Sequence, residues 1–356
     1  MMRLFSHSQL GIFLAFLLGC QTLAAANVCH PTLWPNEKFI VNHPSDTQKE
    51  IIKNLQKWAK KSLKAEPQAI PVLASAGKVD KNDPDLLASR LAFRDAERAA
   101  VLALAFTVNH NPEYLTKTKD ILLNWAAVNQ PTGNPIDETR LEGMIWAYDL
   151  ISCDLSTKEQ NLMEVWLEKL RNKKNTWQFG SVTRNNNHRI HQMKMLLLLD
   201  KVLHHTQDWK KDLAQTEKYA ALNLNSKTGE SIDYQQRKAL HYHNYDLQAW
   251  LEISLVSGCC RAPVTSAFHF LSDRILSHHI DGEFLHSTAK IDGLRDKGGF
   301  TYAKSGGAFD VSKAASTIVT YYTIVGDKPL PELWDIVEHG KPSLWLTFVT
   351  DRRAFW

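Results

Sequence analysis

Ser45-Asp46-Thr47-Gln48-Lys49-Glu50-Ile51-Ile52-Lys53-Asn54-Leu55-Gln56-Lys57-Trp58-Ala59-Lys60-Lys61-Ser62-Leu63-Lys64 places its apolar residues at Ile51, Ile52, Leu55, Trp58 and Leu63. That spacing follows the turn of an α-helix with one face toward a core, and Asp46 stands where a helix start is capped. The same style recurs over Leu86 to Val108, Pro112 to Val128, Glu138 to Cys153, Thr157 to Lys173, His188 to His204, Trp209 to Leu224, Tyr234 to Val256, Val264 to His278 and Ala308 to Val325. Breakers such as Asn109-His110-Asn111-Pro112, Gln130-Pro131-Thr132-Gly133-Asn134-Pro135 and Thr228-Gly229 separate the runs. Long helices joined by short polar loops, with no sustained two-residue alternation, predict an all-α fold of stacked antiparallel helical hairpins. The expected form is an α/α toroid, an incomplete α/α barrel; no sequence repeat separates it from an open solenoid. From Ile280 to Gly307 the pattern loosens and glycines accumulate. Either a loop over a cleft or a long connection fits that stretch.

The chain has 356 residues and a formal net charge of +4. It begins Met1-Met2-Arg3, runs through an apolar stretch from Leu10 to Leu18 and reaches Ala24-Ala25-Ala26, the pattern of a cleaved export signal. The apolar part is shorter than the about 20 residues of a membrane span. We expect residues 1–26 to be a signal peptide and 27–356 a single exported domain, periplasmic or secreted and monomeric. Leu17-Leu18-Gly19-Cys20 loosely resembles a lipid-attachment box, but Leu18 is large for its place and a good alanine site follows. Loss of Arg3 lowers the charge to +3. This mild basic balance suits an acidic polymer held in a cleft and falls short of the dense basic stripe of a nucleic-acid binder. Cys29, Cys153, Cys259 and Cys260 remain after cleavage. Cys259 and Cys260 are read as buried thiols, or one of them as a partner for Cys29 or Cys153. No zinc-ligand spacing occurs, and the reading asks for no metal or cofactor.

Two segments carry chemistry. Arg184-Asn185-Asn186-Asn187-His188-Arg189-Ile190-His191 opens a helix that runs directly into the apolar stretch from Met193 to Leu199, so its first turn belongs at the rim of a core. Asn187 and His191 are four apart and His188 and His191 three apart, so the three share one edge. The second segment is Gln236-Arg237-Lys238-Ala239-Leu240-His241-Tyr242-His243-Asn244-Tyr245. On a helix continuous from Tyr234, at about 100° per residue, Tyr234, Arg237, Lys238, His241 and Tyr245 fall within an arc of roughly 100°. A solvated helix end and an exposed charged face are the plain alternatives. Imidazoles, phenols and adjacent cations gathered in this way are more typical of proton-transfer sites.

Elimination on a uronic acid polymer needs a neutralised carboxylate at C6, a base for the C5 proton and an acid for the departing O4. Asn187 with Arg237 or Lys238 suits the first task, His188 or His191 the second and Tyr245 the third. With these residues laid out, the chain resembles the alginate lyase family, α/α-toroid polysaccharide lyases related to poly(β-D-mannuronate) lyases. The match lies in Asn186-Asn187-His188 and His243-Asn244-Tyr245. It extends to Phe93-Arg94-Asp95-Ala96-Glu97-Arg98-Ala99, to Ile121-Leu122-Leu123-Asn124-Trp125-Ala126 and to Asn134-Pro135-Ile136-Asp137-Glu138-Thr139-Arg140-Leu141-Glu142. The resemblance implies Asn187 for carboxylate neutralisation, His188 as base or neutraliser, and Tyr245 as acid and also as a possible base. The family commonly has an arginine seven residues before the tyrosine; Lys238 stands there, with Arg237 one position earlier, and a lysine lacks the planar fork that grips a carboxylate. Some relatives keep a histidine at the position of His191 and an aromatic where His188 stands.

Further substrate contacts are expected from His241, Arg94, Arg98, Arg184 and Trp177. Arg94 and Arg98 share a helix edge, though ion pairs with Asp95 and Glu97 compete. At Arg140 a helix cap formed by Asp137 is favoured over contact with substrate, and Trp125, Trp146 and Trp250 are read as core. Three alternatives stay open: an inverting glycoside hydrolase using two of Asp137, Glu138, Asp233 and Asp246, a metal hydrolase built on His188, His191, His241 and His243, and a non-catalytic polyuronate-binding protein.

Overall fold

The computed structural model describes residues 31–33, 46–327 and 329–340. The export signal expected over residues 1–26 and Cys29 lie outside them. In chain order the helices are α1 (Asp46–Ser62), α2 (Pro84–Ala92), α3 (Arg94–Asn109), α4 (Pro112–Val128), the single turn α5 (Pro135–Glu138), α6 (Glu142–Ile151), α7 (Thr157–Asn175), α8 (Asn187–Val202), α9 (Thr206–Asn223), α10 (Ile232–Arg237), α11 (Leu240–Ser257) and α12 (Arg261–Leu276). A strand β1 (Asp281–Glu283), helix α13 (Lys290–Lys297) and strand β2 (Gly307–Ala308) precede α14 (Ala315–Val325) and α15 (Pro331–His339). No described helix is long and apolar enough to cross a membrane.

Local chemistry sets the boundaries. Proline stands in the first turn of α2, α4, α5 and α15, where its missing N–H costs no intrahelical bond. Ser156 and Glu159 close a reciprocal capping box on α7. Asn186 caps α8 through its side chain, and Gly258 ends α11 in the left-handed conformation.

Packing runs from α3 to α6, α6 to α8, α8 to α11 and α11 to α14, while α4, α7, α9, α12 and α15 flank this inner series. The arrangement is the all-α toroid expected, an arc of antiparallel pairs. Two apolar clusters fill it. One joins α1, α3, α4, α6 and α7 with Met195, Leu198, Leu199 and Val202 of α8. The other joins α9, α11, α12, α14 and α15 with Ile190, Met193 and Leu197 of the same helix. Helix α8 is therefore apolar on several sides because it sits between both clusters, and at about 1.5–3 kcal/mol per buried side chain its run of leucines anchors the whole arc. Trp125, Trp146 and Trp250 are fully buried, as expected of core.

Several expectations need correction. The helix read from Leu86 to Val108 is two, α2 and α3, that meet at Phe93, and the run read from Ala308 to Val325 is α-helical only from Ala315. The helix read from Tyr234 to Val256 is broken: α10 ends at Lys238, whose backbone is left-handed (φ 49°), and α11 starts afresh at Leu240. No glycine or proline marks the break. The first N–H groups of α11 are instead satisfied from a distant segment, since Glu283 on β1 accepts from Leu240 N at 2.5 Å and His241 N at 3.0 Å. The shared arc of Tyr234, Arg237, Lys238, His241 and Tyr245 therefore does not exist. Asp137 is not a helix cap either: Asn134 caps α5, and Asp137 accepts from Ser75 and Ala76 in the preceding segment. Cys153 is disulfide-bonded, whereas Cys259 and Cys260 are free thiols.

Candidate active site

The first turns of α8 and α11 meet at the inner side of the arc. The His191 and Tyr245 rings lie 4.2 Å apart between centroids, tilted by 34°. Both line a cavity of about 180 Å³ together with Thr139, Arg140, Glu142, Lys194 and Glu252, closed on one side by Ser316, Thr317 and Thr320 of α14. His191 Nδ1 and Thr139 Oγ1 are 2.8 Å apart. Nε2 of the same ring is buried without a hydrogen-bond partner. Burial, then Lys194 and His188, hold this imidazole well below its ordinary pKa. Burial pushes the Tyr245 phenol up to about 12, with Arg140 and Lys194 pulling the other way. Behind them Lys194 bridges Glu142 and Glu252, 2.9 Å from the latter. Burial opposes the Lys194 charge, yet the two glutamates outweigh it and raise its pKa. Glu252 itself is pushed up to about 8, by burial first and by Glu142 second.

Beside this cavity, the backbone and side-chain amides of Asn187 donate to Asp233 at 2.6 and 2.8 Å. His188 is half-buried, and burial with Arg237 and Arg295 nearby drives it down to about 4. Arg237 pairs with Asp292 of α13 and lies 3.8 Å over the Tyr242 ring. Arg295 donates to the Tyr242 hydroxyl. His241 stacks on Tyr302 at 4.3 Å. The stretch from Ile280 to Gly307 is thus neither a detached loop nor a bare connection. It supplies Glu283, Asp292, Arg295 and Tyr302, which fix the start of α11 and the cation at the end of α10.

The structure brings His191 and Tyr245 into the cavity and leaves Asn187, His188, Arg237 and His241 beside it, outside its lining and not on one helix face. Lys238 points elsewhere, exposed and 5.4 Å over the Tyr234 ring; the cations near His188 are Arg237 and Arg295. Arg98 is paired with the buried Asp95 at 2.9 Å, and Arg94 is exposed at the start of α3. Arg184 is exposed and Trp177 half-buried in the segment between α7 and α8, and neither lines the cavity. His243 has both ring nitrogens committed, to Ser231 and to the Ala267 carbonyl, so it belongs to the frame. Of the carboxylates considered for hydrolysis, Asp137 holds Ser75 and Ala76, Glu138 holds Lys174 at 3.1 Å, and neither Asp233 nor Asp246 reaches the cavity.

Several site residues were not singled out from sequence. Lys194 is one turn beyond His191, and Glu252 two turns beyond Tyr245, so helical spacing alone places them on the same edges. Thr139 and Glu142 come from the Asn134–Glu142 stretch, as does Arg140, weighed from sequence for substrate contact and set aside.

The alginate lyase family model matches residues 39–256, well over half of the chain. No curated protein matches it in sequence. Among solved structures the chain is similar to alginate lyase A1-III from Sphingomonas species A1, at 16% identity and a TM-score of 0.56 over 86% of this chain and 92% of that one. It is also similar to an alginate lyase from Bacteroides ovatus, at 15% identity and a TM-score of 0.60 over 90% and 99%. A tyrosine-to-phenylalanine variant of alginate lyase A1-III, complexed with tetrasaccharide, matches at 16% identity with a TM-score of 0.53 over 82% and 87%. At these identities the structural likeness is one of fold, and the family model carries the assignment. The chain belongs to the alginate lyase family and is a polysaccharide lyase.

Proposed function

We propose that the protein cleaves a polyuronate, polymannuronate first among the candidates, by β-elimination at the junction of α8 and α11. The observation that carries this reading is the contact of Tyr245 with His191 beside Asn187 and His188. A phenol that keeps its proton lies there against imidazoles that keep a lone pair. Environments that push two titratable groups apart in this way assign the acid and the base. Asn187 and Arg237 neutralise the C6 carboxylate. A neutral imidazole, His188 or His191, takes the C5 proton, and Tyr245 gives its proton to O4 as the C4–O4 bond breaks. The electrons of the C5–H bond form the C4–C5 double bond, so no water enters the product. Tyr245 can also serve as the base in an ionised form, favoured by Arg140 and Lys194. Export fits the disulfide at Cys153, since such bonds persist in oxidising compartments. We take the exported chain to act as a monomer.

Absorbance of the unsaturated uronate tests the proposal. Purified protein is mixed separately with polymannuronate, polyguluronate and glucuronan, and a rise is expected with polymannuronate. New reducing ends without ultraviolet absorbance would mean hydrolysis, and binding without either would mean a non-catalytic polymer-binding protein.

A further inference from the structure

The carboxylate that grips Asn187 is used by no step of the elimination. Asp233, on α10, is fully buried. Its Oδ2 accepts the Asn187 backbone N–H at 2.6 Å and its Oδ1 the side-chain amide at 2.8 Å. Arg237, one turn along α10, brings its Nε to 3.8 Å from the same Oδ1. One side chain thus touches both groups that neutralise the substrate carboxylate in the elimination proposed above.

We propose that Asp233 is the positioning residue of the site, fixing which way the Asn187 amide faces and steadying Arg237 beside it. The inference rests on the lyase reading. A carboxylate has only acceptors, so Asn187 must turn Nδ2 toward it. One amide hydrogen is then committed to Asp233, and the second is the donor left for the uronate carboxylate. An asparagine at 233 that keeps its carbonyl on the Asn187 backbone N–H turns its NH2 to the Asn187 side chain, which must then swing its carbonyl into the place of the amide donor. The backbone bond to Oδ2 pins the first turn of α8 at the same time, so the amide has no slack to correct itself.

Asp246 of α11 lies beside this arrangement. It is fully buried and neither of its oxygens has a hydrogen-bond partner. The neighbouring Asn223 directs its amide nitrogen to Asn185 and Tyr219. Burial first, and the Asp233 charge second, push Asp246 well above the usual carboxylate range.

As the C5 proton leaves, negative charge grows on the C6 carboxylate. A misdirected amide therefore costs more in the transition state than in the bound substrate. The test is Asp233→Asn, assayed for unsaturated product with the polymer that the wild-type protein cleaves. The expected result is a kcat lower by about tenfold to a hundredfold with KM within about threefold, in protein that folds by circular dichroism. If Asp233→Asn does not fold, Asp233→Ser replaces it, keeping a hydroxyl acceptor for the backbone N–H but none for the amide. Wild-type kcat in either folded variant, or a loss confined to KM, overturns the inference. So does failure of both variants to fold, because the carboxylate then supports the frame and not the amide. A wild-type protein that forms no unsaturated product from any polyuronate overturns the lyase reading itself, an outcome distinct from all of these.

Discussion

The two ends of α8 are built from similar residue types and behave differently. At the far end Asp200 pairs with Arg171 at 2.5 Å, and the same guanidinium lies 3.2 Å from Asp208 and 3.8 Å from Asp212. A groove of about 960 Å³ opens alongside, lined by Glu164, Glu168, Lys169, Lys173 and His204. At the near end the cavity is much smaller, about 180 Å³. Size alone would choose the far end. In the far groove the acids already have partners: Glu168 lies 2.8 Å from His205, and Tyr148 donates to Glu164 at 3.3 Å. At the near end a protonated phenol touches an imidazole that burial keeps neutral, with cations on either side. On the mechanism proposed above, catalytic competence lies in an acid and a base that cannot quench each other, and not in the volume around them.

The sharpest way to break this comparison is to remove one atom at the near end. Tyr245→Phe should lower turnover by about 10²–10⁴-fold, the usual worth of a positioned proton donor, without loss of fold. A folded Tyr245→Phe protein with near-wild-type rate would remove the acid assigned here. His188→Ala should also abolish turnover in folded protein; if His191→Ala does so and His188→Ala does not, the base is His191. The far end answers to a different measurement. Arg171→Met leaves Asp200 buried without its cation and should cost about 3–5 kcal/mol in chemical denaturation. Specific activity of the folded fraction should not change. If kcat falls with stability intact, the two ends are coupled along α8 and the contrast drawn above is false. Glu164→Gln in the large groove should change neither stability nor kcat by more than about twofold, as for an ordinary surface substitution.

Much of this contrast was legible in the sequence, for identifiable reasons. Asn187, His188 and His191 lie on one helix, so a single periodicity put them together on α8, and Pro112–Val128 was delimited by its own proline and polar breakers. The second segment failed at Lys238. A left-handed lysine has no sequence mark, and what starts α11 is Glu283, more than forty residues downstream. The choice between Arg237 and Lys238 was decided in the same way, by Asp292 and Tyr242, which only the folded chain brings near. Arg140 was set aside because a local cap by Asp137 looked sufficient, yet Asp137 is held by Ser75 and Ala76. Local rules succeeded where a helix supplied both partners and failed where the partner came from another segment.

The smallest expected effect separates the carboxyl at the near end from the imidazoles beside it. Burial raises Asp233 to about 7, against the pull of Arg237 and of the two Asn187 N–H groups. Facing it are Asn187 from α8, Arg237 on its own helix, Asp246 from α11, Tyr219 from α9 and, through Arg237, Asp292 from α13. Only the ionised form accepts both Asn187 bonds, so kcat should fall as pH drops through about 7. His188, held at about 4, stays neutral across that range and cannot cause the loss. The same carboxyl acts on stability with the opposite sign. Its folded pKa lies above the unfolded value of about 3.9, so the folded state binds the extra proton between the two, and this contribution to stability is lost as pH rises toward 7. His188, His241 and His243, each held at about 4, favour the folded state above about 6.5 and lose that contribution as pH falls. Stability therefore receives opposing contributions over the interval in which activity changes in one direction. A pH profile of Asp233→Asn tells the two apart: the limb near 7 should vanish from its residual activity. If the limb persists, it belongs to another group, with Glu252 the first to examine.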